Sequence, residues 1–355
     1  MNTMVRSKER YGWIDMMKVL LLVAVVGAHS MPKLTPTTPA TVLAMDTLYF
    51  LTVDVLSVCV SVYFIISGYL FFCSFSRFDL TVYRNKLQSR VKTLLVPYLI
   101  WNLVCGIKYL VKARLVGLPY ESAIVSADGA IDWWHFLEGF VMVPEIDGFP
   151  YAFAFWFIRN LMIFVIFSPL VLLITRYWWC YALFMAAWML YVDYDGLTLY
   201  SGFEWFVTGA ALAGADIRRL GAAPLWMSPV TVIALVAAGY FASVTEGVLH
   251  NLWYVVEVVA MTALTLSLAV AVMRHSGRIT RLLIGSSFFV YALHQCFCTV
   301  ANRLWFSMTE ITSYQQVMLR YAGLFLTLYG TGVVVWLILR RICPQLLSVL
   351  SGNRG

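Results

Sequence analysis

The sequence predicts an all-α polytopic membrane protein of about ten transmembrane helices with both termini cytoplasmic. Three observations carry that prediction. The 355 residues are 61% hydrophobic and 12% charged, with a mean hydropathy of +0.81; a soluble domain of this size carries about 25% charged residues. Apolar runs of bilayer length recur from one end of the chain to the other. Lys and Arg gather in alternate connecting segments.

The apolar runs fall near 11–30, 48–74, 91–112, 151–175, 178–192, 200–215, 229–246, 252–273, 282–302 and 319–339. The first covers about 20 residues, the length that crosses a bilayer. Arg6, Lys8 and Arg10 precede it and Ala28-His29-Ser30 ends it, which is signal-like. Nine further runs favour a retained span over a cleaved leader. Pro32 and Pro36, Pro119, Pro144 and Pro150, Asp193 to Gly196, and Gly277 punctuate the separators. No internal repeat interrupts the pattern, so residues 1–342 form one transmembrane domain and 343–355 a short cytoplasmic tail. The spacing of Gly209 and Gly214 reads as helix packing.

Counting Lys and Arg orients the chain. With a cytoplasmic N-terminus, the inner segments hold about 17 of them and the outer segments about six. Lys108, Lys112 and Arg114 run against the bias. The segment 113–150, which would lie outside, is acidic instead, with Glu121, Asp128, Asp132, Glu138, Glu145 and Asp147.

Ionisable side chains at bilayer depth are costly and mark candidate sites. Here they are Asp15, Lys18, His29, Asp54, Arg159, Glu204, Glu257 and His294. The plainer reading is that opposite charges pair to hold helices together. Lys18 and His29 stand apart because eleven residues make almost three helical turns, so both lie on one face, about 16 Å apart along the axis. Asp15, three residues before Lys18, lies near the same stripe. Such a stripe suits a donor that enters from one side and an acceptor that waits on the other. His29 can act as general base, because its proton exchanges near neutral pH. It can equally carry an acyl group transiently.

Arg84, Lys86, Arg90 and Lys92 crowd the segment before the third run. They either follow the positive-inside rule alone or bind the phosphates of an anionic co-substrate such as coenzyme A. His135, His250 and His275 fall in predicted loops. The seven cysteines read as small apolar residues of helices. No His/Cys/Asp/Glu cluster has metal-ligand spacing, so no metal is expected. No solvated basic face points to nucleic acid.

Five segments then resemble the membrane-bound acyltransferase family 3. They are WIDMMKVLLLVAVVGAHS (Trp13 to Ser30), VYFIISGYLFF (Val62 to Phe72), KLQSRVKTLLVPYLIWN (Lys86 to Asn102), FWFIRNLMIF (Phe155 to Phe164) and SSFFVYALHQCF (Ser286 to Phe297). That family includes O-acetylases of bacterial O-antigens, capsules, exopolysaccharides, Nod factors and enterobacterial common antigen. The resemblance implies ten core helices in the bacterial inner membrane, cytoplasmic acetyl-CoA or another acyl-CoA as co-substrate, and a glycan or lipid-linked saccharide acceptor on the outer side. It maps the family's basic–ten residues–His motif onto Lys18 and His29. The family's RxxR motif departs here, with Arg90 in the first position, Thr93 in the second and Lys92 one place early. Trp156, Arg159 and His294 match recurring positions.

The site expected from sequence is therefore catalytic at His29, Lys18, Asp15, Arg159 and His294, with acyl-CoA held by Arg84, Lys86, Arg90 and Lys92. Trp156 and Tyr151, at the head of the fourth run, would contact substrate. Arg159 either stabilises charge on the acyl oxygen or pairs with Glu204, Glu257 or Asp54. A transporter that moves a small solute or acyl group along the same polar path is the alternative, and a non-catalytic partner in polysaccharide export is a third. Membrane lipids surround the chain, and a homo-oligomer stays open.

Overall fold

The computed structural model describes residues 12–116, 124–125, 129–143, 148–192, 198–215, 223–275, 277–306 and 310–352. Arg6, Lys8, Arg10, Arg218, Arg219 and Arg354, Glu121, Asp128, Glu145 and Asp147, and the Pro119, Pro144 and Asp193 to Gly196 separators lie outside them. Among the described residues the regular elements are helical, and two isolated β-bridges, Val125 with Ile131 and Val143 with Phe149, are the only extended pairings.

Six helical runs are long and apolar enough to cross a membrane. The first is α1 (Gly12–His29). The second joins α2 (Pro39–Tyr49), a π-helical turn (Phe50–Val55) and α3 (Cys59–Phe72). The third joins α4 (Leu80–Arg90), a π-helical turn (Val91–Leu95) and α5 (Val96–Val116). A short helix, α6 (Trp133–Glu138), lies in the segment that follows.

The expected span 151–175 is broken. A 3₁₀ turn (Phe153–Phe155) leads into α7 (Trp156–Ile166), and α8 (Ser168–Ile174) departs at 70°. Pro169 lacks the amide that would continue the helical ladder, so the axis turns there. Helices α9 (Trp178–Tyr191), α10 (Phe203–Leu212) and α11 (Met227–Ser243) are apolar but short. The 14 residues of α9 reach about 21 Å, less than the ~30 Å hydrocarbon core. The last three long spans are α12 (Gly247–Arg274), α13 (Arg278–Phe306) and α14 (Tyr314–Ile342). Within 343–352, the described part of the expected tail, α15 (Pro344–Leu350) forms, and its Leu350 carbonyl accepts from Trp101 Nε1 at 3.1 Å.

Close contacts fix the relative directions of the spans. A Cβ on Gly12 would lie 3.1 Å from Met273 at the end of α12, so α1 and α12 are antiparallel. Tyr63 of α3 donates to the Lys18 carbonyl, and Leu56 lies 3.5 Å from a Cβ placed on Gly27, so α3 also runs against α1. Cys298 of α13 meets the His29 carbonyl, and Tyr321 of α14 donates to the Gly27 carbonyl at 3.0 Å. His29, the start of α12 and the start of α14 therefore share one end of the bundle. Phe71, Arg274, Arg278 and Arg341 share the other. Helix α10 lies closest to α3 because Gly68 faces the Phe206 carbonyl and Gly209 faces the Ile65 carbonyl, with no room for a Cβ at either. Gly214 faces open space and takes no part.

Candidate active site

His29 closes α1 and is half-buried. Its ring lies 5.3 Å from that of His294 and meets Phe153 edge-on at 5.6 Å. The backbone at this end is pinned from both sides. Ser30 Oγ donates to the Val26 carbonyl at 2.7 Å, and Asn302 of α13 bonds the Met31 carbonyl at 2.8 Å and the Lys33 amide at 3.0 Å. From Cys298, opposite His29, α13 runs on eight residues to Phe306, about 12 Å. His29 thus sits below the rim of the bundle.

His294 is buried, 1% exposed, on the facing side of α13. Its Nδ1 lies 2.6 Å from the Tyr291 carbonyl and 3.3 Å from the Val290 carbonyl. Carbonyls only accept, so Nδ1 carries the proton and Nε2 presents a lone pair. That Nε2 is buried without a partner among the described residues. A buried acceptor left unpaired costs about 1–3 kcal/mol, and such groups cluster where a ligand or a proton is to be met.

A re-entrant arm brings Phe153 to this point. Residues 139–143 and 148–155 pack back along α5. Asn102, fully buried on α5, accepts from the Ala152 amide at 3.0 Å, and Tyr98 donates to the Phe140 carbonyl. Tyr291 donates to the Ala154 carbonyl, and its ring stacks on Phe155 at 5.4 Å. Arg159 completes the clamp. Its Nη1 donates to the Val141 and Gly148 carbonyls, each at 2.7 Å, and its Nε to Asn160 at 3.1 Å. The alternative pairing of Arg159 with Glu204, Glu257 or Asp54 is not formed among the described residues. Backbone carbonyls of the arm take its charge instead.

The other sequence candidates separate. Lys18 pairs with Asp15 at 2.9 Å, three residues before it, on the stripe below His29. Trp156 is half-buried against Phe64, ring centroids 6.0 Å apart. Tyr151 is buried among Tyr109, Phe136 and Phe140. His135 and His250 lie in α6 and α12, not in loops; His250 Nδ1 bonds the Ala242 carbonyl at 2.9 Å. Glu204 is buried with one carboxylate oxygen unpartnered.

The basic cluster lies at the opposite end. Lys86 Nζ bonds the Phe71 carbonyl and Ser74 Oγ, each at 2.9 Å, and stands 4.5 Å over the Phe71 ring. It caps α3, satisfying a carbonyl at the helix C-terminus. The Arg90 guanidinium lies 5.9 Å from the same ring. Arg84 and Lys92 are exposed beside them. Sequence reasoning missed the Phe71 platform, because nothing local in the chain couples residue 71 to residues 86 and 90.

The family model described as an acyltransferase domain, the third acyltransferase family, matches residues 11–340. The succinoglycan biosynthesis protein ExoH of Rhizobium meliloti (strain 1021) is 24% identical over 302 residues, covering 81% of this chain and 77% of its own. No solved structure matches. With nearly its whole length aligned to that model, the chain belongs to the acyltransferase 3 family.

Proposed function

We propose that this enzyme moves an acyl group, acetyl on grounds of resemblance, from acyl-CoA to a hydroxyl of a surface or lipid-linked glycan, with His29 as general base. The observation that carries the proposal is the His29–His294 pair beneath the re-entrant arm, at the end of the bundle opposite the basic cluster. The relative's part in succinoglycan biosynthesis supports a glycan acceptor.

In this reading Arg84, Arg90 and Lys92 hold the phosphates of coenzyme A. Lys86 contributes charge while it caps α3. The co-substrate supplies a thioester, which reacts without prior activation. His29 takes the proton of the acceptor hydroxyl as its oxygen attacks the thioester carbonyl. The carbon–sulfur bond then breaks, and the proton passes to the departing thiolate. His294, fixed with Nε2 as acceptor, stabilises His29 while it carries the extra proton. Lys18 and Asp15, three to four turns below, line the route between the two ends. A ten-pass chain in the bacterial inner membrane, with both termini and the basic cluster in the cytoplasm, is the arrangement the Lys and Arg distribution supports.

The test uses purified protein in detergent with radiolabelled acetyl-CoA and extracted envelope glycans. Labelled glycan should form with the wild type. His29→Ala should lower turnover by about 10²–10⁴-fold, the usual contribution of a positioned acid–base group, with acetyl-CoA affinity retained. Absence of labelled product from every glycan fraction, together with absent coenzyme A binding, would end the proposal. Uptake of a solute into liposomes without any CoA ester would favour transport instead.

A further inference from the structure

A polar cavity opens at the His29 end of the bundle, outside the site just described. It is a cleft of about 960 Å³ between the π-helical turn Phe50–Val55, α11 and the first half of α12. Its floor is built where three segments meet at Gly239. A Cβ there would stand 2.9 Å from the Asp54 carbonyl and 3.3 Å from Glu257 Oε1. Glu257 is ten residues past Gly247, so the cleft descends about 15 Å along α12. Thr52 on the same π turn touches Met31 at 3.7 Å, so one helical segment separates this cleft from the His29 end of α1.

The polar groups facing the cleft are unbalanced. Glu257 is 2% exposed, and its Oε1 has no partner among the described residues. Asp54 lines the wall beside it, and Glu246 the mouth. Two of the nearby nitrogen donors are already committed. His250 Nδ1 is held by the Ala242 carbonyl at 2.9 Å. Asn251 Nδ2 is held by the Met189 and Val192 carbonyls at 2.8 and 3.1 Å. Among the described residues no Lys or Arg lines the cleft. What is offered is acceptors, negative charge and the rings of Tyr49, Tyr191 and Tyr254.

A buried carboxylate with no counter-charge is costly, and carboxylates joined by aromatic faces are the surroundings that favour an organic ammonium. A tightly bound metal ion fits less well. Among the described residues no three His, Cys, Asp or Glu converge as ligands. We propose that this cleft binds a primary ammonium group, with Glu257 and Asp54 accepting its N–H bonds at the floor and tyrosine rings closing over its stem. Such a group can be borne by an amino sugar or by a free polyamine. The inference does not rest on acyl transfer, because binding is read without any acyl donor.

The experiment is isothermal titration calorimetry on the full chain in detergent, with four probes. They are a glucosamine tetrasaccharide, its fully N-acetylated counterpart, spermidine and calcium chloride. The glucosamine tetrasaccharide or spermidine should bind, and whichever binds more tightly identifies the source of the amine. N-acetylation should weaken binding at least tenfold, as should Glu257→Gln, with the melting temperature of the variant unchanged. Tyr191→Ala, at an exposed rim position where folding is not at stake, should weaken it severalfold. Equal affinity for the N-acetylated probe, no binding of either amine, or displacement of the amine by calcium at equal concentration would each overturn the proposal. Should Glu257→Gln lose its fold, Asp54→Asn carries the same comparison.

Discussion

Arg159→Ala separates two roles that the sequence leaves open for this residue. In the structure one guanidinium nitrogen spans two carbonyls of the re-entrant arm, Val141 and Gly148, each at 2.7 Å. A hydrogen bond from a charged donor contributes about 1.5–3 kcal/mol. Losing both removes roughly 3–6 kcal/mol from the closed arm, which is about a 10²–10⁴-fold rise in its opening equilibrium. Within the arm the Val143 amide bonds the Phe149 carbonyl at 2.7 Å, and the Tyr151 amide bonds the Gly139 carbonyl at 2.9 Å. These amides report opening. Hydrogen–deuterium exchange of peptides covering 139–153 should therefore accelerate in Arg159→Ala by up to that factor. Arg159→Lys, which keeps the charge but loses the fork, should recover part of the protection. Transfer activity should fall in step with exchange, because Phe153 no longer holds its place against His29. If exchange in the arm is unchanged while activity collapses, Arg159 acts on the reacting atoms, and the clamp is not its function.

Other perturbations test other parts of the structure. Replacing Arg90 and Lys92 together by Ala should weaken acetyl-CoA binding at least tenfold in a filter-binding assay; unchanged affinity returns that cluster to a topology signal. Gly209→Val should destabilise the protein by about 1–3 kcal/mol by overpacking against the Ile65 carbonyl. Gly214→Val, facing open space, should leave the melting temperature within experimental scatter, and equal effects at the two sites would refute the close α3–α10 approach. Cys105 and Cys296, with sulfurs 3.5 Å apart, should form an oxidant-induced cross-link between α5 and α13, visible as one joined peptide by mass spectrometry. Its absence under conditions that oxidise exposed Cys73 would contradict the placement of α5.

Much of the fold is legible in the sequence where one span is one uninterrupted apolar run. Helices α1, α12, α13 and α14 announce themselves by length, and the Lys18–His29 stripe follows from helical spacing alone. The re-entrant arm is not legible. Phe149, Tyr151, Phe153 and Phe155 are as apolar as the span they precede, and what turns them inward is Asn102, Tyr98 and Arg159 bonding to backbone carbonyls and amides. Backbone partners leave no trace in residue type. The His29–His294 contact is legible only as two matching positions, since 265 residues separate them. The partners of Arg159 could not be found by charge matching, because they carry no charge. The ammonium cleft is hidden for the opposite reason. Asp54 and Glu257 look like two unrelated intramembrane acids until Gly239 brings their segments together.

The C-terminal helix has a consequence for how the chain is made. Pro97 cannot donate to the Thr93 carbonyl, and that carbonyl faces Gly352, where a Cβ would have no room beside it and where the φ of 64° itself favours glycine. Trp101, one helical turn on, donates its Nε1 hydrogen bond to the Leu350 carbonyl. The third span is therefore inserted early but finished last. Until α15 has been made, the start of α5 beside the basic cluster lacks these contacts. A nascent chain stalled before residue 344 would hold all six long spans yet leave Trp101 without its Leu350 partner.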